Sequence, residues 1–532
     1  MRWDLIVPVI GMYVLVAIIA GIALRRVKTS VDYMLAGRQL GYGLMIPHIV
    51  GAFFGAGSTI GIASLSYIWG LGGAWYNMAE ALGLWLLMAF LARRLWHLGR
   101  RLNFVTLPDL LESYYGRTFK AITGLFIALG YASWVAGQIA GAGRVLQQVT
   151  GFPLLYSIII GTLLVGFYAG FGGLWGSVFA DLVFGSLTVI GALIVGPILV
   201  HQFGGWNALL AKLPAGYASF FWLGEKAPFA GMFGWTSLKQ LVWYILVFTP
   251  AFAIGQLNIQ RIYASKDEGV AHGMSTFIAS YVFVQPVFFA LIGMIAFALN
   301  PKLPSRDAAA PWVMANAMGP VLGALFLCSL VAVIMSCAAA GLNTAVASLV
   351  RDIWRLINPK LDELRAGRIL SVWVMAASFV FAVLIPDVVG WLSLGFTLMG
   401  ISLFVPTVVM VATRGRPTKW ATATGAVWSS VIGGGVAILW KALMQMYGKP
   451  FTNWDPIFIG LPVEIVLLLA ISRMTASTCP PQTGEQAERL KVVREVFDQV
   501  RPTWSKEGWG TVVFLASMVL ALWILPWLFQ FV

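Results

Sequence analysis

Charge is what this chain lacks. Only 11% of its 532 residues are charged, against about 25% in soluble domains, which excludes a solvent-facing globule. Acidic residues are scarcer still, 21 against 35 basic ones. Cysteine occurs only at Cys328, Cys337 and Cys479, without a recurrent spacing and with two of the three inside predicted helices, so no disulfide framework is implied. No HExxH element or paired catalytic constellation occurs, which argues against an intramembrane enzyme. The first apolar run, Leu5–Leu24, has no small-residue cleavage site and reads as a span rather than a signal peptide.

What is present is apolar: 59% hydrophobic residues and a mean hydropathy of +0.84. Runs long enough to cross a bilayer, about 20 residues each, fall near 4–24, 44–69, 73–92, 119–149, 153–171, 176–201, 237–260, 272–299, 318–350, 368–388, 391–413, 421–445, 456–472 and 509–530. The expectation is an all-α polytopic membrane protein of about 14 helices. Its net charge of +14 then reads as the cytoplasmic excess of Lys and Arg. With the N-terminus outside, 26 of the 35 basic residues fall on inner segments and Arg144 inside a helix. Eight fall outside: Arg2, Lys212, Lys226, Lys239, Lys302, Arg306, Lys441 and Lys449. Both termini are therefore expected outside. Two connections are long. Gln202–Phe233 is extracellular, with a short surface helix over Trp206–Leu213 ended by Pro214. Thr475–Gly508 is cytoplasmic, where Leu490, Val493, Phe497 and Val500 form an apolar stripe suited to the protein's own inner face, a partner or the membrane surface.

The stretch that organises the chain is Ile46–Gly72. It is long enough to span, yet carries Gly51, Gly55, Gly57 and Gly61 with Ser58 and Thr59 among them. Each glycine costs roughly 1 kcal/mol against alanine inside a helix. The pattern suits close helix packing or a helix that opens in mid-membrane and offers carbonyls to an ion. The fifth helix after it, Leu241–Gln256, is interrupted at Thr249-Pro250 and again at Gly255. Interrupted helices at matching places in two halves point to a midplane site between inverted repeats. Near 318–350, Ser336 and Cys337 are adjacent, and the carbonyl of Val333 lies about one turn before them. With opened backbone near Gly51 and Phe54, such a helix can complete a shell around a small hard cation, although a thiol is a soft ligand for one.

These features, with several local motifs, resemble the sodium:solute symporter family over about residues 30–440. The motifs are Ser30–Arg38, Thr106-Leu107-Pro108 before Tyr115-Gly116-Arg117, Gly172-Gly173 before Ala180-Asp181, Gln256 with Gln260-Arg261 and Ala264, and Ser336–Asp352 with Asn343 in register. The resemblance implies a five-plus-five inverted-repeat transporter core with one extra helix before it and about three after. The expected divisions are 1–43, a first repeat 44–203, an extracellular loop 204–236, a second repeat 237–415, and accessory helices 416–532 with the cytoplasmic segment 475–507.

Carried over residue by residue, the resemblance puts the main sodium site on the carbonyls of Gly51, Phe54 and Val333 and on the side chains of Ser336 and Cys337. Cys337 departs from the family's usual Ser or Thr. Asp181 would belong to a second cation site, to a cap or to a structural pair, or carry the proton in a proton-coupled carrier, with Ala180 and Phe184 departing from the family's Thr and Gln. The solute pocket is implied at Phe53, Gly55, Ser58, Trp134, Gln138 and Gly255, with Asn77 or Glu80. Phe53 and Trp134 match aromatics of the choline carriers, which suits a cationic solute, but Gly255 stands where those carriers have a third aromatic. Arg144 either steers a carboxylate or bonds carbonyls near its helix end. Glu80 either pairs with a cationic solute, carries a proton or bridges helices. His48 reads as a satisfied core histidine and Glu464 as structural.

The expected function is sodium-coupled symport of a small polar organic solute across the cytoplasmic membrane by a protein working as a monomer. Its partners would be the solute and membrane lipid, with no nucleic acid. Two alternatives stand beside it: a proton-coupled or sodium-independent carrier of the same fold, for which Cys337 is the motive, and a transporter-like membrane sensor.

Overall fold

The computed structural model describes residues 3–221, 236–384, 388–447, 454–477 and 483–531. Cys479, Lys226, Lys449, the side chain of Phe184 and the far part of the extracellular loop lie outside the described residues. All fourteen apolar runs fall on helix. Among the described residues, nine helices are long and apolar enough to cross a membrane. A tenth appears when the bent pair Tyr42–Phe53 and Gly57–Phe90 is taken as one span. The helices Trp3–Leu24 and Leu154–Gln202 add to these, the latter broken at Gly173 into two arms.

Sequence motifs mark where the chain turns. Thr29 and Thr106 each cap a short helix, Ser30–Leu35 and Leu107–Tyr115. Each hydroxyl accepts from the backbone of an aspartate three residues on, whose carboxylate returns to the cap backbone. The break at Gly173 has φ +53, and a Cβ there would lie 2.8 Å from the Tyr33 carbonyl oxygen. Only glycine meets both demands. That is why the two expected runs 153–171 and 176–201 form one bent element wrapped around the Ser30–Leu35 helix.

The first broken helix runs Tyr42–Phe53 and, after a bend of 59°, continues from Gly57 through Ile62–Trp69. The second runs Thr236–Ala253, breaks at Gly255 and continues as Gln256–Ala264. One expectation is corrected here: Pro250 causes no break and stays inside the continuous helix, where the neighbouring Thr249 hydroxyl donates to the carbonyl of Ala79 at 2.8 Å. Membrane helices tolerate proline when neighbours satisfy the freed groups. At one end the two broken helices are stitched together, Leu40 N–H to Ala264 O at 3.2 Å and Lys266 N–H to Leu40 O at 2.9 Å.

The long connections are settled in part. The short helix expected at 206–213 is shorter still, Trp206–Leu210, and its loop packs inward, Tyr217 O accepting from Leu71 N–H at 2.8 Å. The helix Gly484–Gln499 buries Leu490, Val493 and Phe497 against the rest of the protein. Arg94 lies 4.9 Å over the Phe497 ring and donates to Val500 O. Arg494 donates to Gly415 O, and the Gln486 amide donates to Glu112 O.

Candidate functional site

The site starts as a backbone accounting problem. At the first break, Phe54 leaves helical geometry with ψ 77. The N–H of Gly55 turns to Phe53 O at 3.1 Å, and that of Ala56 goes to Gln138 Oε1 at 2.6 Å. The carbonyls of Gly51 and Ala52 thereby lose the donors that a continuous helix would supply. Ser58 and Thr59 fold back, donating to the carbonyls of Phe53 at 2.9 Å and Gly55 at 2.7 Å. Asn77 donates to Ser58 Oγ at 2.8 Å. The opening is thus held by named side chains from two other helices.

Two glycines admit two different groups. A Cβ on Gly51 would collide with the carboxylate of Asp181, and one on Gly55 with Gln138 Oε1 and Cys337 Sγ. Ser336 donates directly to Asp181 Oδ1. Asp181, wholly buried, also takes Ser177 Oγ at 3.2 Å and His48 Nδ1 at 2.8 Å. Gly51, Asp181 and Ser336 therefore form one oxygen-rich cluster. The adjacent Cys337 instead presents its sulfur to Gly55 and Gln138. Val333 lies in the unbroken helix Gly319–Ser348, so its carbonyl is not loosened as expected and offers an ion only its second lone pair. Phe54 packs its ring edge-on to Tyr281 at 5.0 Å.

Several of the residues expected to line a solute pocket pack against one another beside this cluster. The rings of Phe53 and Trp134 meet that of Phe252 at 5.7 and 6.3 Å, and Phe396 closes on Trp134 and Phe252 at 5.2 and 4.9 Å. Phe252 and Phe396 were missed by sequence reasoning. Their signal was weak, since Phe252 stands three residues before Gly255 and Phe396 sits in a uniformly apolar run. Phe252, three residues before Gly255, brings a third ring against those of Phe53 and Trp134. Asn77 and Glu80, three apart, share one face of the helix Trp75–Phe90. Glu80 is buried with no ion pair among the described residues. The acceptor oxygens of Asn77, Asn258 and Gln285 are buried without a donor among the described residues. Arg144 lies apart from this group and reaches Gln147 on its own helix at 3.4 Å. Glu464 lies in the accessory helix Pro456–Thr475, away from the site.

The family model described as "Sodium:solute symporter family" matches residues 33–433. The chain belongs to this family. Its members are transporters and not enzymes. A sodium/pantothenate symporter of Escherichia coli (strain K12) is 25% identical over 489 residues, covering 90% of this chain and 98% of its own. A sodium/glucose cotransporter of Vibrio parahaemolyticus is 25% identical over 531 residues, covering 93% of each. A high-affinity proline transporter of Bacillus subtilis (strain 168) is 24% identical over 431 residues, covering 79% of this chain and 88% of its own. Among solved structures, a Na+-coupled sialic acid symporter, in a substrate-bound outward-open state, superimposes with a TM-score of 0.69 at 17% identity, covering 90% of this chain and 99% of that one. That likeness shows the fold. This symporter is accordingly an all-α, multi-pass membrane protein with the five-plus-five core, and it carries a small-molecule solute.

Proposed function

We propose that this symporter couples the inward movement of a small polar solute to sodium, by alternating access across the cytoplasmic membrane. The reading has both termini outside, the two repeats at 44–203 and 237–415, and a monomer as the working unit. The observation that carries it is the buried pair at the first break, the Asp181 carboxylate and the Ser336 hydroxyl, packed against Gly51, whose carbonyl is freed by the break. Carboxylate, hydroxyl and carbonyl oxygens are the donor set a small hard cation requires. An ion there would hold the helix Tyr42–Phe53 against Gly319–Ser348, and its departure inside would let them separate and release the solute.

The solute reading follows from unmet hydrogen bonds. Asn77, Asn258 and Gln285 offer acceptor oxygens, and Glu80 adds a buried carboxylate on the helix that carries Asn77. A lining rich in acceptors favours a solute rich in donors, and an amine satisfies both Glu80 and the ring faces.

The test is thermal stability of the purified protein in sodium, potassium and choline salts, with a library of amines, polyols and carboxylates. Stabilisation by sodium that is lost in Ser336→Ala, and further stabilisation by donor-bearing solutes, is the expected result. Uptake that persists after both sodium and proton gradients are removed would overturn the coupled mechanism. The proton-coupled reading rests on the buried Glu80, which has no ion partner among the described residues. It predicts pH-dependent stabilisation without a sodium effect, and loss of uphill uptake with retained exchange in Glu80→Gln.

A further inference from the structure

The polar cluster does not end at Asp181. His48, fully buried on the helix Tyr42–Phe53, has its Nδ1 2.8 Å from Asp181 Oδ2 and its Nε2 3.2 Å from Arg261 Nε. An arginine can only donate, so Nε2 must accept. The single proton of the neutral ring then sits on Nδ1 and is donated to Asp181. Arg261, on the helix Gln256–Ala264, is also fully buried. Its Nη1 is satisfied by the carbonyl of Leu257, the side-chain oxygen of Gln260 and the hydroxyl of Thr344, at 3.1, 3.3 and 3.4 Å. None of these is an anion, and among the described residues Arg261 forms no ion pair with a carboxylate. A buried guanidinium requires a counter-charge. The imidazole of His48 supplies one by joining Arg261 to Asp181.

We propose that His48 makes Arg261 the resident counter-charge of Asp181, so that sodium entering the Asp181–Ser336 cluster competes with Arg261 and loosens the helix Gln256–Ala264. This rests on the sodium reading above. Before sodium arrives, one carboxylate serves one cation, reached through the imidazole. Once sodium is bound, two cations share that carboxylate and the hold on Arg261 weakens. The helix that loosens is the second half of the second broken helix, whose first residue follows the break at Gly255. Its other end stays stitched to Leu40, so the change is confined to the stretch nearer the break. His48 in this account is a positioning residue: it touches neither solute nor ion, and it transmits the ion's presence from the first broken helix to the second. The coupling is reciprocal, so fixing Arg261 on Asp181 weakens sodium binding by the same factor.

The test is amide hydrogen exchange of the full chain in sodium chloride against potassium chloride, without solute. The expected result is slower exchange over 46–58 and faster exchange over 256–264 in sodium. His48→Leu should keep the first effect, lose the second and bind sodium roughly tenfold more tightly, the equivalent of one charge-assisted hydrogen bond. His48→Gln, which keeps a donor and an acceptor, should restore the second effect. The wild-type comparison decides the matter even where a variant fails to fold. Sodium that slows 46–58 but leaves 256–264 unchanged or slower overturns the competition and leaves sodium coupling intact. No sodium effect in either segment overturns both.

Discussion

Gln138 and Ala56 meet across the first break, the side-chain oxygen of one accepting the backbone N–H of the other at 2.6 Å. That contact holds the helix open, because the Ala56 N–H would otherwise be a buried orphan. Gln138→Leu is expected to leave it so, at about 1–3 kcal/mol for an unsatisfied buried donor. Gln138→Glu keeps an acceptor and should stay nearer wild type. Thermal melts of the two variants check this; equal stability would remove Gln138 from the account.

The separate orientations of Ser336 and Cys337 make a second prediction. Ser336→Ala and Asp181→Asn should each abolish stabilisation by sodium, since both remove part of the oxygen cluster. Cys337→Ala should keep it and instead alter solute affinity, because the sulfur faces Gly55 and Gln138. Sodium titrations followed by melting temperature separate the two outcomes. A loss of the sodium response in Cys337→Ala would return the thiol to the ion site.

Glycine at 55 is a packing requirement. A Cβ there runs into Cys337 and Gln138, and forcing extra atoms into a packed interior typically costs about 1–3 kcal/mol. Gly55→Ala should lose uptake, and Gly55→Ala with Cys337→Ala should not recover it, because the Cβ at position 337 and Gln138 Oε1 still stand in the space. Transport assays of the single and double variants check this.

Near the start of the helix Leu107–Tyr115, Asp109 is buried beside Lys120, 2.8 Å away, with Arg351 beyond. Burial by itself would raise its carboxyl, but the two cations outweigh burial and hold it well below the usual carboxylate range. A group depressed in the folded state contributes stability that is present above its unfolded value, about 3.9, and is lost as pH falls through the folded one. Asp109→Asn should therefore be less stable than wild type at neutral pH, with the gap closing in strong acid. Melting temperatures of both proteins from neutral pH downwards give the gap directly.

The helix Gly484–Gln499 provides a fifth test. Phe497 is fully buried against the rest of the protein with Arg94 over its ring. Phe497→Ala should destabilise by about 3–5 kcal/mol as a large-to-small core change. Were the helix a partner-docking element, this substitution would leave the melting temperature of the isolated protein unchanged.

What the sequence determined by itself is what local chemistry decides. Glycines clustered at 51–61 and standing at 255 weaken a helix near where it breaks, although Gly51 and Gly61 themselves stay helical. The Thr-x-x-Asp pairs at Thr29 and Thr106 cap helices wherever they occur. Runs of bilayer length cannot be anything but membrane helix. From these the helices, both breaks and the all-α core were legible, though not that Pro250 would be absorbed by its neighbours. Only the tertiary structure decided who meets whom at the breaks. Asp181 and Ser336, 155 residues apart, meet directly, and Gly51 packs against the same carboxylate. Adjacent positions on a helix point about 100° apart, so Ser336 faces that carboxylate while Cys337 faces Gly55. Phe252, Phe396 and the bridge from His48 to Arg261 carry no local signature, because an apolar or basic residue in a membrane helix acquires its role from the helix packed against it.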